Sequence, residues 1–145
     1  MKYTAEFTDN CAKAMGVALP ISYKYSLMVC QAIRGLPIAK AKKILEDAID
    51  LKSAIPFTRF TNGPGHKPGM GTGRFAVKAC AHILNLIVGA EANAQFKGLS
   101  TGNLFVKHII AKQGPNTLRQ GRKYRQAKRT HVEVILEEVK AKKND

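Results

Sequence analysis

The chain has 145 residues, 45% of them apolar, with a formal charge of +14 and a sequence pI near 10.0. That length buries one core and is too short for two full domains, so residues 1–145 are expected to form a single domain. The basic surplus points to a polyanionic partner such as nucleic acid ahead of an acidic protein or a small-molecule substrate. No run approaches the ~20 apolar residues that span a bilayer, and no basic segment followed by an apolar stretch opens the chain, so no membrane is expected.

The first twenty residues are weakly patterned, with extended pieces expected around Tyr3 to Phe7 and Met15 to Leu19. Ser22 is placed to cap a first helix. Tyr25, Met28, Val29, Ala32 and Ile33 recur there at helical spacing, and Gly35 ends it. Pro37 suits the first position of a second helix, whose Ile38, Ala41, Leu45, Ala48 and Ile49 share a face with Lys40, Lys42 and Lys43 turned outward.

Periodicity then stops from Ile55 to Gly73, where three prolines and five glycines replace it, so this stretch is expected to be a loop. A third and longest helix follows. Its stripe is Ala76, Ala79, Cys80, Ile83, Leu84, Ile87, Ala90 and Ala94, closed by Gly98. Two runs of period two come next, Leu104 to Ala111 and His131 to Glu137, which read as strands with an apolar face toward the third helix. Antiparallel pairing would set Lys107 opposite Glu133 or Glu137.

Charge is concentrated rather than spread. Between Asp50 and Glu133 fourteen bases stand against one acid, Glu91, giving +13 of the total. Residues 112–129, the link between the two strands, hold seven of these bases (Lys112, Arg119, Arg122, Lys123, Arg125, Lys128 and Arg129), no acid, and only Leu118, Tyr124 and Ala127 as isolated apolar residues. Such a segment makes no core of its own, and like charges along a two-stranded ribbon oppose its folding. As two limbs of about nine residues at ~3.3 Å each it would reach roughly 30 Å, far enough to enter another molecule. Seven neutralised phosphates would give a log–log salt slope near −6. Tyr124 either stacks on an unpaired base or packs on the arm's own backbone.

The loop at residues 56–73 and its flanks form a second basic constellation, with Arg59, His66, Lys67 and Arg74 among glycines that admit close phosphate approach, and it feeds the third helix's N-terminus. Neither the Walker spacing nor G-x-G-x-x-G is present, which argues against a nucleotide-hydrolase loop. His66, His82, His108 and His131 show no ligand spacing, and Glu46, Asp47 and Asp50 lack a partnered histidine. No metal, cofactor or catalytic site is therefore expected. Cys11, Cys30 and Cys80 are too few and too scattered for a disulfide framework and suit a reducing cytosol.

Taken in order, Leu19-Pro20-Ile21-Ser22, Ala32-Ile33-Arg34-Gly35, Ile55-Pro56-Phe57-Thr58-Arg59-Phe60, Ala90-Glu91-Ala92-Asn93-Ala94 with Lys97-Gly98-Leu99, and His131-Val132-Glu133-Val134-Ile135-Leu136 resemble the family of large-subunit ribosomal protein twenty-two, called seventeen in the older eukaryotic naming. The likeness covers nearly the whole chain and leans to the archaeal and eukaryotic branch. It implies an α+β fold, three helices on a small antiparallel sheet with a long protruding basic β-hairpin arm. It also implies a cytoplasmic, non-enzymatic constituent of the large ribosomal subunit that binds ribosomal RNA, its hairpin lining the nascent-peptide exit tunnel. Partners would be large-subunit RNA, neighbouring proteins near the tunnel exit and the nascent polypeptide. By the same resemblance Lys24 and Arg34 join the loop residues as RNA contacts, beside the hairpin's own bases. The arm is shorter than the family's usual one, and Gln126-Ala127-Lys128-Arg129 stands where a glycine is usual. The short lysine-rich tail after Val139 implies that extensions to neighbouring proteins are missing. A free-standing RNA chaperone or architectural protein is the alternative the residues leave open; an RNA-processing enzyme is the weaker one.

Overall fold

A computed structural model describes residues 3–6 and 8–139. Phe7 of the expected Tyr3–Phe7 strand and the lysine-rich tail lie outside the described residues, and residues 3–6 are not a strand. The second extended piece is real and longer than expected: β1 runs Cys11–Leu19. The first helix, α1, spans Tyr23–Ile33 with Ser22 at the cap position in extended backbone. The Ser22 side chain makes no cap hydrogen bond; its carbonyl instead accepts from the Ser26 hydroxyl at 2.9 Å. Gly35 turns the chain away at φ +77, a left-handed conformation that glycine adopts without a Cβ clash.

The second helix, α2, spans Ile38–Ile49. Pro37 lies just before it rather than at its first position, because its ψ of 145 is extended and it bridges to Phe105. The 55–73 stretch is not wholly loop. Ile55–Pro56 (β2), His66–Lys67 (β3) and Gly71–Arg74 (β4) form a small antiparallel sheet in the order β2-β4-β3. Thr72 secures it, its carbonyl accepting from the Phe57 N–H at 2.9 Å while its hydroxyl donates to the Phe57 carbonyl at 2.7 Å. The longest helix, α3, is Val77–Phe96.

The main sheet has three antiparallel strands in the order β1-β8-β5, with β5 at Leu104–Gln113 and β8 at Thr130–Glu138. Because β8 is central, it is buried from Thr130 to Leu136, more fully than a one-faced strand would be. Val132, Val134 and Leu136 join Ala79, Cys80, Ile83, Ile87, Ala90 and Ala94 of α3 in one core. The opposite face of β8 carries Glu133, fully buried. Side chains at the C-terminal end of α3 and of its capping residue Lys97 finish the edge of β1: Lys97 Nζ donates to the Cys11 carbonyl at 2.8 Å and Asn93 Nδ2 to that of Lys13 at 2.9 Å. The chain is therefore α+β, three helices on antiparallel sheets.

Past Gln113 and before Thr130 the two strands continue as a narrower hairpin, Thr117–Leu118 (β6) against Gln126–Ala127 (β7). At its root the Gly114 N–H donates to the Arg129 carbonyl at 2.9 Å, and a Cβ on Gly114 would stand 3.0 Å from that oxygen. The limbs approach this closely only because the residue has no side chain.

Candidate nucleic-acid interface

The hairpin rests on little apolar packing. Residues 115–126 are exposed throughout, and the last bond of the ladder is from the Arg119 N–H to the Arg125 carbonyl, 2.8 Å. Beyond it the chain reverses through Gly121 at φ +132 and Tyr124 at φ +42. Tyr124 is 80% exposed, so its ring is not packed on the arm's backbone. Arg119, Arg122, Lys123, Arg125, Lys128 and Arg129 have no ion-pair partner among the described residues.

Arg119, Arg125 and Lys128 line one cleft of about 530 Å³ with Ser22 and Tyr25 at the start of α1 and Phe75 to Ala79 at the start of α3. Lys24, Lys128 and Arg129 flank a second. Lys24 and Arg74 flank a third, with Tyr25, Phe57, Phe60 and Asn62. Tyr25 borders the first and the third, so hairpin, helix ends and glycine-rich segment present one connected basic surface. Arg34 and Arg59 meet across a further groove beside Ile110, where Arg34 Nη2 donates to the Ile109 carbonyl at 2.7 Å. His66 and Lys67 line none of these clefts; they sit on the β3–β4 hairpin, with the Lys67 ammonium 5.3 Å from the Phe75 ring centre.

Lys112 has different surroundings from the other hairpin bases. Its ammonium bonds Oε1 of the buried Glu133, whose Oε2 accepts from the N–H and hydroxyl of Thr4, each at 3.1 Å. Burial pushes the Glu133 carboxyl up, but the bonds from Lys112 and Thr4 outweigh it and hold the group below its ordinary range. On the same face Lys107 meets Glu137 at 2.5 Å, one of the two partners its strand position allows.

The family model described as ribosomal protein L22p/L17e matches residues 14–137. The chain belongs to this family. Relatives named large ribosomal subunit protein uL22 include one from Archaeoglobus fulgidus, 41% identical over 77% of this chain and 74% of its own length. The Methanocaldococcus jannaschii relative is 37% identical over 95% of each chain, and that of Zea mays 40% identical over 95% of this chain and 89% of its own. These relatives set the chain in the archaeal and eukaryotic branch of the family.

In this L22p/L17e chain the helix ends also carry a signal that the charge count hides. None of the three helices has an acid in its first turn. Lys24, Lys40 and Lys78 stand there instead, at the positive end of each helix dipole, an arrangement that costs about 0.3–1 kcal/mol each and is relieved by an external anion. Lys78 was not among the expected contacts, although its place at a helix start marks it. Phe60 and Asn62 lie in the glycine-rich segment expected to contact RNA but were not singled out there, because nothing in that segment says that α1 packs beside it.

Proposed function

We propose that this chain is a non-enzymatic structural constituent of the large ribosomal subunit, binding and stabilising its RNA. The observation that carries the proposal is the exposed hairpin whose Arg119, Arg122, Lys123, Arg125, Lys128 and Arg129 have no carboxylate partner among the described residues, in a chain of the L22p/L17e family. In the free chain these cations are held only by water and dissolved counterions, and a polyanion that displaces the counterions binds them favourably. The hairpin is the protruding arm that reaches into folded RNA and lines the wall of the nascent-peptide tunnel. Tyr124, exposed at its tip, is the residue offered to an unpaired base or to the passing polypeptide.

Lys24, Arg59, Arg74 and Lys78 extend the RNA-binding surface over the globular part, with His66 and Lys67 at its margin. Arg34 spends one donor on Ile109 and keeps others for RNA; Lys112 serves the fold through Glu133. Among the described residues no helix is long and apolar enough to cross a membrane.

Two experiments test this. Tagged chain should remain on large subunits through a high-salt wash and leave only when the subunit is dismantled, whereas release at high salt supports the free-standing chaperone. A photoreactive residue in place of Tyr124 should crosslink to large-subunit RNA and to nascent polypeptide on translating ribosomes. Crosslinks confined to the protein's own globular part would refute the arm's role.

A further inference from the structure

Around Phe60 the chain assembles a notch that the hairpin's chemistry does not account for. Phe60 sits at φ +58, a backbone conformation whose ordinary occupant is glycine and which strains a bulky residue. The Lys24 ammonium lies 5.3 Å and the Arg59 guanidinium 5.5 Å from its ring centre. Beside it the Arg74 guanidinium lies 5.6 Å from the Tyr25 ring centre and donates to the Tyr25 hydroxyl. Tyr25 in turn meets the buried Phe57 edge-on, with centroids 5.3 Å apart at 88°. Asn62 completes a cavity of about 290 Å³, close to the ~300 Å³ lower bound of pockets that hold small molecules.

Among the described residues no carboxylate lines the notch. Its cations are held against aromatic rings, poised but not neutralised. An occupant must therefore supply negative charge, a flat apolar face for the rings, and a polar edge for the Asn62 amide. Inorganic phosphate offers only the first, and an acidic peptide lacks the flat face. An RNA duplex offers phosphates with its bases stacked out of reach, whereas a single-stranded segment can splay one base into such a site.

We infer that this notch takes one unpaired nucleotide of RNA, its base against Phe60 and Tyr25 and its phosphate on Lys24 and Arg74. The inference rests on the RNA-binding reading above and deepens it: the hairpin tracks phosphates, and the notch selects a single-stranded, extruded base. Tyr25 also borders the hairpin cleft, so one RNA strand can run from the arm's bases to the notch.

The test uses the full chain with a single-stranded RNA heptamer carrying a central 2-aminopurine, and the same sequence as a duplex. The single strand should bind more tightly than the duplex, with its fluorescence quenched by stacking. Phe60→Leu should restore the emission and weaken single-strand binding about tenfold, within the range of one lost base–aromatic stack. Phe60→Gly, which suits the positive φ, should do the same if the leucine variant folds poorly. Phe96→Leu, changing a 95% exposed ring at the other end of α3, should alter neither readout. If both Phe60 variants bind and quench like the parent, or if an oligoglutamate peptide competes as well as the single strand, the notch is no nucleotide site although RNA binding stands. Failure of the parent chain to bind either RNA would overturn the RNA-binding reading itself.

Discussion

Replacing Lys112 with methionine separates a base that serves the fold from one that serves RNA. Glu133 is fully buried and accepts three hydrogen bonds, two from Thr4 and one from the Lys112 ammonium. Removing one partner of a fully buried ion pair costs about 3–5 kcal/mol. Here Thr4's two donors remain, and the Lys112 side chain is 32% exposed, so water replaces part of what is lost. The expected destabilisation is therefore about 2 kcal/mol, or roughly 6 °C in the unfolding midpoint for a domain of this size. Thermal unfolding followed by circular dichroism reads it. Lys112→Met with Glu133→Gln together should cost less than the sum of the two single changes, since the neutral amide no longer needs the ammonium. The RNA salt slope of Lys112→Met should match that of the parent chain. An unchanged midpoint together with a slope flattened by about 0.9 would refute the reasoning and return Lys112 to the RNA contacts.

Stability should fall in two stages on acidification. Burial, reinforced by the Arg34 charge, pushes the His108 imidazole below its ordinary range, and its buried Nε2 finds no hydrogen-bond partner among the described residues. The unfolded chain then takes up a proton near pH 6.5 that the fold resists, so stability declines below about pH 6.5, and His108→Gln should remove this stage. Glu137, held low by Lys107, and Glu133 contribute stability present above about pH 4.3 and lost as pH falls through their depressed values; denaturant titrations across pH 3–8 resolve both stages. Ile87→Ala, emptying a fully buried site on α3, should cost about 3 kcal/mol in chemical denaturation, and a cost below about 1 kcal/mol would contradict the packing described. Gly114→Val should force the hairpin limbs apart at their root and raise amide exchange from Asn116 to Gln126, while α3 stays protected.

The elements legible in the sequence are those whose period records burial: α1, α2, α3, β5 and β8 lie close to where the apolar spacing puts them. The third strand of the sheet was only half visible. Cys11–Leu19 is a run of small residues with weak alternation, and pairing with β8, not propensity, makes it a strand. The small sheet between Ile55 and Arg74 was hidden by glycines and prolines, whose composition reads as loop although Thr72 and Phe57 tie it together. Within the site, the hairpin's bases were plain as a charge run. What that run could not reveal was that Lys112 stands diagonal to Glu133, because Lys112 pairs with His131 and Ile110 with Glu133, a register neither strand displays alone. The aromatic notch was illegible for a similar reason. Lys24 and Tyr25 lie on α1 and Phe60 and Arg74 far along the chain, and only the packed fold brings them together.

The central claim is that the hairpin's cations are completed by phosphates, and the salt dependence of RNA binding tests it most directly. With Lys112 committed to Glu133, six arm bases predict a log–log slope near −5 for the parent chain from the arm alone. Arg122, Lys123 and Arg125 changed together to alanine should flatten that slope by about 2.7 and leave the unfolding midpoint of the isolated protein within a degree or two. A slope that stays the same, or a midpoint that drops by many degrees, would mean that these side chains serve the protein's own fold and not RNA.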